Sequence, residues 1–150
     1  MEIIEFFKAN KDERTHWIEE IGKSDWGAAG FLAGLLTEEK FHKTLGEGEL
    51  YLLTDGGKLM AFATMTQRDC IVDDSLFPWI GFVYTFPEFR GNRFSGVLID
   101  NCAETAREQG YKRLWTATDH EGLYEKYGFV YLENRTDCWG EDSRVLYRQL

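Results

Sequence analysis

Apolar residues in the N-terminal part of the chain recur at helical spacing. Lys11–Ile21 and Trp26–Leu36 each place apolar side chains three and four positions apart, which predicts two amphipathic helices. Glu38–Leu45 predicts a further short helix ended by Gly46, and Glu2–Phe7 predicts a short edge strand. This part of the chain is therefore expected to be mainly helical.

The spacing then changes to a strand-like period. Glu49–Thr54 and Lys58–Arg68 alternate, and the Asp-Gly-Gly segment between them is a hairpin turn signal. Trp79–Thr85 is almost continuously apolar, which is typical of a strand buried on both faces. An acidic loop, residues 69–78, separates the hairpin from this third strand.

Helical and strand patterns alternate through the rest of the chain. The predicted elements are a helix at Ser95–Gln109 stopped by Gly110, a strand at Arg113–Thr118, a short helix at Glu121–Tyr127 closed by Gly128, and strands at Phe129–Asn134 and Arg144–Leu150. Together these elements predict a single domain of the α/β (α+β) class over residues 1–150.

Composition and net charge restrict the classes of partner that the chain is expected to bind. The chain has 150 residues, is 43% hydrophobic, and carries 17 basic against 26 acidic side chains, for a net charge of −9. An acidic chain is a poor candidate for nucleic-acid binding and favours cationic partners such as amines. A local group of backbone N–H donors and arginines can still bind an anion.

The cysteines and the apolar runs argue against a disulfide-rich, metal-binding, secreted or membrane-spanning protein. The three cysteines are widely spaced without a C-x-x-C pair, so neither a disulfide framework nor a metal site is expected. No signal peptide and no membrane-spanning run is visible, and we expect a cytoplasmic protein without membrane partners.

The segment from Trp79 to Ser95 carries the most specific chemical signal. A strand enters a turn with Pro87, then an Arg-Gly-Asn-Arg loop, and then the helix predicted to begin at Ser95. The first N–H groups of a helix lack intrahelical partners and lie at the positive end of its dipole. Strand, tight loop and helix N-terminus therefore indicate a site for a phosphate-bearing cofactor.

Two motifs in this order resemble the GCN5-related N-acetyltransferase (GNAT) superfamily. PEFRGNRFSGVLI (Pro87–Ile99) resembles the acetyl-CoA loop, whose usual form is Arg/Gln-x-x-Gly-x-Gly/Ala. LYEKYGF (Leu123–Phe129) resembles the Tyr-x-x-x-Gly-Phe element that follows the fifth strand. The loop departs from the pattern, because Arg93 and Ser95 stand at the two glycine positions. A negative φ would let Arg93 donate its N–H as glycine does, and Ser95 could cap the helix.

The resemblance implies a mixed sheet of about six to seven strands, with a V-shaped cleft between parallel strands Trp79–Thr85 and Arg113–Thr118. It also implies acetyl-CoA as cosubstrate and no metal. The implied acetyl-CoA contacts are Val83, Tyr84, Thr85, Arg90, Gly91, Asn92, Arg93, Phe94, Ser95 and Gly96. Relatives are often dimers, so a homodimer is an expectation.

The same resemblance implies a catalytic acid. Tyr124 aligns with the tyrosine proposed to protonate the departing CoA thiolate, and a phenol of pKa about 10 stays protonated at neutral pH. The identity of the general base stays open, because the strand Trp79–Thr85 carries no carboxylate. Asp74, with Asp73, lies in the loop before that strand, and His120 follows the fifth strand with a suitable intrinsic pKa.

The leading hypothesis is therefore direct acetyl transfer from acetyl-CoA to a primary amine of an unidentified small molecule, and the acidic net charge favours a cationic one. Small polyamines, aminoglycoside-like compounds, free amino acids and protein amino groups all stay open as acceptors. Two alternatives stay open. One is an acyl-CoA-binding sensor without catalysis, suggested by the missing strand carboxylate and the altered glycines. The other is an unrelated nucleotide-phosphate binder, which ATP or a dinucleotide would stabilise and acetyl-CoA would not.

Overall fold

A seven-stranded mixed sheet forms the centre of the molecule. The computed structural model describes all residues from Met1 to Leu150. The strands are β1 (Glu2–Glu5), β2 (Gly48–Asp55), β3 (Lys58–Thr66), β4 (Trp79–Thr85), β5 (Arg113–Thr118), β6 (Val130–Thr136) and β7 (Asp142–Gln149). Their order across the sheet is β1-β2-β3-β4-β5-β7-β6. Only β4 and β5 pair in parallel. The predicted fold class is confirmed.

Four helices cover the two faces of the sheet. They are α1 (Lys11–Gly22), α2 (Gly27–Thr37), α3 (Phe41–Leu45) and α4 (Phe94–Glu108). The helices α1, α2 and α3 pack on one face through Trp17, Leu32 and Phe41. The helix α4 packs on the other face through Leu98 and Cys102. No helix is both long and apolar enough to cross a membrane.

Local signals in the sequence account for most element boundaries. Asn10 caps α1 by accepting the Glu13 N–H at 2.9 Å, which satisfies a free donor of the first turn. Gly56 and Gly57 both have positive φ and close the β2–β3 hairpin, as the Asp-Gly-Gly signal predicts. Gly128 takes the left-handed conformation after a short 3₁₀ turn, Tyr124–Tyr127, which replaces the predicted helix Glu121–Tyr127.

Alternation along β3 and β4 sorts side chains between the two faces. Ala63, Met65 and Ile80 belong to the core cluster under α4. Phe62 and Tyr84 belong to the cluster under α1, α2 and α3. Successive side chains of a strand point to opposite faces, so each core is built from alternate residues of the same strands. This sorting decides which face each residue of the site reaches.

Candidate active site

The parallel strands β4 and β5 separate soon after they meet. Their register contains a single pair, Trp79 with Trp115. The Thr116 hydroxyl donates to the Ile80 carbonyl at 3.2 Å, just beyond that pair. A cavity of about 940 Å³ opens where the strands diverge. The V-shaped cleft predicted between these strands is therefore present.

A β-bulge bends β4 at the cavity. Phe62 pairs with Tyr84 and Thr64 with Gly81, so Phe82 and Val83 together lie opposite one residue of β3. Phe82 has a φ of +48°, which is rare for an aromatic residue. The bulge turns Phe82 toward α2, where its ring stacks with Phe31 at 6.3 Å. It also removes Phe82 and Val83 from regular ladder pairing beside the cavity.

Most of the residues predicted to hold acetyl-CoA line this cavity. They are Val83, Tyr84, Thr85, Arg90, Gly91, Arg93, Phe94 and Ser95. Asn92 and Gly96 do not line it. The Asn92 side-chain amide donates to the Phe89 carbonyl at 3.0 Å. A Cβ on Gly96 would lie 2.6 Å from the Tyr127 ring, so Gly96 serves the close packing of that ring.

Two details of the loop differ from what the sequence suggests. Arg93 has a φ of +58° and is the N-cap of α4, so it takes the left-handed conformation that a glycine would adopt there. Ser95 does not cap the helix, because α4 begins one residue earlier, at Phe94. Its hydroxyl instead shares a hydrogen bond of 3.0 Å with the Thr85 hydroxyl, which fixes the helix start against the end of β4.

Charge divides the cavity into two halves. The half beside the N-terminus of α4 carries the cations Arg90, Arg93 and Lys126. Arg93 lies over the Tyr127 ring at 5.5 Å, and Arg90 over the Tyr84 ring at 5.5 Å. The lining also carries the carboxylates of Asp119, Asp137, Glu141 and Asp142 and the aromatic rings of Trp26, Phe82 and Trp139, and we call this part the acidic half. One half suits an anion and the other a cation with an apolar face.

Tyr124 lies at the base of the cleft. Its ring is buried in the α4-side core, 5.6 Å from the Phe129 ring, and it also lines the cavity. Burial raises the pKa of Tyr124 to about 12, and a hydrogen bond with Thr116 opposes this rise in part. The phenol is therefore a proton donor throughout the neutral range. The same ring also packs in the core, which is compatible with the predicted acid role.

The two predicted bases occupy different places. His120 lines the cavity, but its side chain is 71% exposed and lies 3.9 Å from the Asp119 carboxylate. Its carbonyl accepts the Arg144 guanidinium at 2.7 Å, so the backbone is anchored. Asp74 is exposed and does not line the cavity, because the loop carries it outward. We therefore do not retain Asp74 as a base.

Asp73 has a structural partner instead. Its carboxylate accepts the Arg135 guanidinium at 2.7 Å, which joins the loop before β4 to β6. Hydrogen bonds from Arg135 and Ser75 lower the pKa of Asp73 to about 2. A carboxylate held in this way stays ionised at neutral pH and is unsuited to accept a proton.

Asp69 is the residue that sequence reasoning missed. It follows β3, lines the cavity, and is mostly screened from solvent. Desolvation raises the pKa of Asp69 to about 6, although hydrogen bonds from Cys70 act in the opposite direction. A Cβ on Gly81 would overlap its carboxyl oxygen and lie 3.2 Å from its carboxyl carbon. A glycine inside an apolar strand often marks such a close approach, and this was the available signal.

No cluster of His, Cys, Asp and Glu side chains has the arrangement to hold a metal ion. The three cysteines are free thiols.

Comparisons with known proteins identify the family. The model of the acetyltransferase (GNAT) family matches residues 8–129. The chain therefore belongs to the GNAT acetyltransferase family. No curated protein sequence matches it significantly.

Solved structures share the fold at low sequence identity. A GNAT family acetyltransferase from Elizabethkingia anophelis, with acetyl-CoA bound, is 21% identical, with a TM-score of 0.59 over 75% of this chain and 83% of that one. An aminoglycoside 6′-N-acetyltransferase complexed with coenzyme A is 12% identical, with a TM-score of 0.71 over 99% and 97%. An aminoglycoside 6′-acetyltransferase type Ii is 16% identical, with a TM-score of 0.72 over 99% and 97%. These likenesses establish the fold.

Proposed function

We propose that residues 1–150 form a single acetyltransferase domain that transfers the acetyl group of acetyl-CoA to a primary amine of a small, cationic acceptor. The observation that carries the proposal is the two-sided cavity at the separation of β4 and β5. Its basic half suits the cofactor and its acidic, aromatic half suits an amine. Tyr124 lines the same cavity.

The basic half supports acetyl-CoA as the cosubstrate. Arg90 and Arg93 flank the N-terminus of α4, where free backbone N–H groups and the helix dipole favour a pyrophosphate. The bulge leaves backbone groups of Val83 beside the cavity, where a pantetheine amide could pair with them. The structural neighbours from Elizabethkingia anophelis and of the aminoglycoside 6′-N-acetyltransferase class carry acetyl-CoA or coenzyme A.

The acidic half supports a cationic acceptor. Glu141 and Asp142 line it at the start of β7, and the exposed Trp139 ring, which also lines it, meets the Phe31 ring edge-on at 5.9 Å. Carboxylates attract ammonium groups, and aromatic faces bind both cations and the apolar faces of sugar rings. Two structural neighbours are aminoglycoside acetyltransferases, which agrees with a polyamine or aminosugar acceptor.

The reaction needs few groups. The acceptor ammonium loses a proton, and the neutral nitrogen attacks the thioester carbonyl carbon. The tetrahedral intermediate collapses with cleavage of the carbon–sulfur bond, and the Tyr124 phenol protonates the departing thiolate. The nitrogen then loses a second proton, which restores the phenol. The products are an amide, free CoA thiol and one proton released to solvent.

The first test combines binding and turnover. Thermal unfolding with acetyl-CoA, CoA, ATP and NAD should give stabilisation by acetyl-CoA and CoA alone. Release of CoA thiol is then followed with tobramycin, spermidine and lysine as acceptors, and we expect turnover with at least one of the first two. Acetyl-CoA binding without turnover of any amine would favour a sensor, and stabilisation by ATP or NAD alone would contradict the cofactor assignment.

The homodimer and the cytoplasmic location remain predictions. A homodimer should elute and scatter light at twice the mass of one chain. The cytoplasmic location is tested by fractionation of the native host.

A further inference from the structure

Gly81 leaves a gap in the wall of the cleft that another residue fills. Ile80 packs into the core under α4, so the hydrogen of Gly81 that a side chain would replace points to the opposite face, under α2. The Asp69 carboxyl occupies that space. The buried hydroxyl of Thr64, the cross-strand partner of Gly81, lies 3.4 Å from the same point and has no hydrogen-bond partner. The carboxyl therefore sits where a side chain of β4 would otherwise begin.

Asp69 and Tyr124 thus approach the separation between β4 and β5 from opposite faces of the sheet. Tyr124 belongs to the core under α4, and Asp69 lies on the α2 face, which also carries Trp26 and Phe82. The charge on Asp69 raises the pKa of Tyr124, so the two groups are close enough to interact through the gap. Asp69 and the aromatic rings of Trp26 and Phe82 line the same cavity.

We propose that Asp69, carried by the segment after β3 into the space that Gly81 leaves open, is the general base of the acetyl transfer. This inference rests on the proposed function. It resolves the absence of a carboxylate on β4, because the carboxylate arrives from outside the strand. Gly81 is then a positioning residue, required for the space that it leaves.

The proton path balances with these groups. A carboxylate oxygen of Asp69 accepts one proton from the acceptor ammonium, and the nitrogen lone pair forms the new bond to the carbonyl carbon. The carbon–sulfur bond breaks, and its electron pair leaves with the sulfur, which takes the Tyr124 proton. The amide nitrogen gives its remaining extra proton back to Tyr124, and Asp69 releases its proton to solvent.

The other carboxylates of the cavity are less suited to this step. Asp137 accepts the N–H groups of Trp139 and Glu141 and the Ser143 hydroxyl, at 2.9 to 3.0 Å, so its lone pairs are occupied. Asp119, Glu141 and Asp142 are exposed to solvent. Exposed carboxylates are weaker bases at neutral pH than a desolvated one.

The surroundings of Asp69 keep it basic. The titratable groups whose pKa values respond to its charge are Cys70 beside it, Tyr124, and Cys138 on the β6–β7 hairpin. None of the three is a cation that would hold Asp69 ionised. Its pKa of about 6 leaves the carboxylate ionised at neutral pH and still able to take a proton.

The first test is Asp69→Asn, assayed by thiol release with the best acceptor of the panel. We expect kcat at neutral pH to fall by about 10² to 10⁴, while acetyl-CoA affinity is unchanged. The remaining activity should rise tenfold with each pH unit toward the pKa of the amine, because the neutral amine needs no base. Asp12→Asn, which removes an exposed carboxylate on α1, is the matched control and should behave as the wild type.

A second pair of variants tests the position of the Asp69 carboxyl in the space beside Gly81. Gly81→Ala places a Cβ against the Asp69 carboxyl, and we expect a lower kcat with unchanged acetyl-CoA binding. The double variant Asp69→Gly with Gly81→Asp puts a carboxyl back into the same space from β4, and it should recover activity over Asp69→Gly alone. A wild-type pH profile in Asp69→Asn, with wild-type kcat, would overturn the base while the proposed function stands. No turnover by the wild type would overturn the proposed function, and the base role with it.

Discussion

The Asp69 carboxyl and the Tyr124 phenol lie on opposite faces of the sheet, on either side of the gap between β4 and β5. Desolvation keeps the carboxyl basic and the phenol protonated, so one structural cause prepares a proton acceptor and a proton donor. Both groups line the cavity that opens where the two strands separate. The separation of the two strands is thus the feature on which the chemistry depends.

Tyr124→Phe should reduce turnover and leave the fold intact. Phenylalanine keeps the ring that packs against Phe129, and it removes the hydroxyl that we propose protonates the thiolate. We expect kcat to fall by about 10² to 10⁴, with unchanged affinity for acetyl-CoA measured by calorimetry. In the wild type, activity should show no alkaline decrease from this group below pH 10, since its pKa is about 12.

Tyr127→Phe is the matched control for that variant. Tyr127 also lines the cavity, but its ring packs against Gly96 and carries the Arg93 guanidinium. Loss of its hydroxyl should leave kcat close to the wild-type value. Full turnover by Tyr124→Phe at every pH would show that the acid is another group.

Arg93→Gly removes the positive charge of residue 93 and keeps its left-handed backbone conformation. Glycine adopts the left-handed conformation of residue 93 without strain, and this gain offsets the greater freedom that glycine gives the unfolded chain. We therefore expect the free energy of unfolding to change by less than about 1 kcal/mol. Acetyl-CoA affinity should fall about tenfold, the equivalent of roughly 1.4 kcal/mol for one lost charged contact to phosphate.

Calorimetry at two salt concentrations checks the charge effect. The loss of affinity in Arg93→Gly should shrink at high salt, because salt screens exposed charges. Arg107→Gly is not a suitable control, because a glycine inside α4 would destabilise the helix. Arg107→Ala, which breaks only an exposed pair with Glu104, should leave affinity unchanged. An Arg93→Gly protein that binds acetyl-CoA as tightly as the wild type would exclude a phosphate contact.

The order of elements could be predicted because each carries a local signal. The strand periods, the Asp-Gly-Gly turn and Gly128 place β2 to β5 and the turn after Tyr124 to within a few residues. The resemblance of the motif LYEKYGF to the family element predicted Tyr124 as a residue of the site. These features depend on residues close in sequence, which a single chain reveals without tertiary information.

Asp69, the proposed base, was not predicted from the sequence because its position depends on tertiary structure. Asp69 lies 12 positions before Gly81 in the sequence, and only the packing of β3 against β4 shows that one fills the space left by the other. Asp74 has the same side chain in the same loop, and the Arg135 contact to its neighbour Asp73 directs that part of the loop to β6. The left-handed Arg93 was missed because the side chain at that position is not one that usually adopts a positive φ.

Trp139→Ala should weaken acceptor binding and spare the cofactor. Trp139 is 67% exposed on the β6–β7 connection, and its ring contacts Phe31 of α2 across the acidic half of the cavity. Removing an exposed ring costs the fold little, so the unfolding temperature should stay near the wild-type value. We expect KM for the amine to rise about tenfold, with kcat and acetyl-CoA affinity unchanged, in line with the loss of an aromatic anchor.

The pH dependence of stability provides a test of Asp69 that needs no acceptor. Its folded-state pKa of about 6 lies above the roughly 3.9 of an unfolded aspartate. Below pH 4 the carboxyl is protonated in both states and has no effect. Between pH 4 and pH 6 the unfolded state loses its proton first, so the wild type loses stability as pH rises, and above pH 6 the full cost of burying the charge is present.

Asp69→Asn removes that cost, because the amide stays neutral. We expect the variant to gain stability relative to the wild type as pH rises from 4 to 7, by about 1 to 3 kcal/mol at the upper end, after allowance for the partial exposure of the side chain. Urea unfolding at each pH measures the difference, and Asp12→Asn should show no such gain. A variant that loses both activity and stability at pH 7 would mark Asp69 as a structural residue, whereas lost activity with gained stability is the result expected of a desolvated catalytic base.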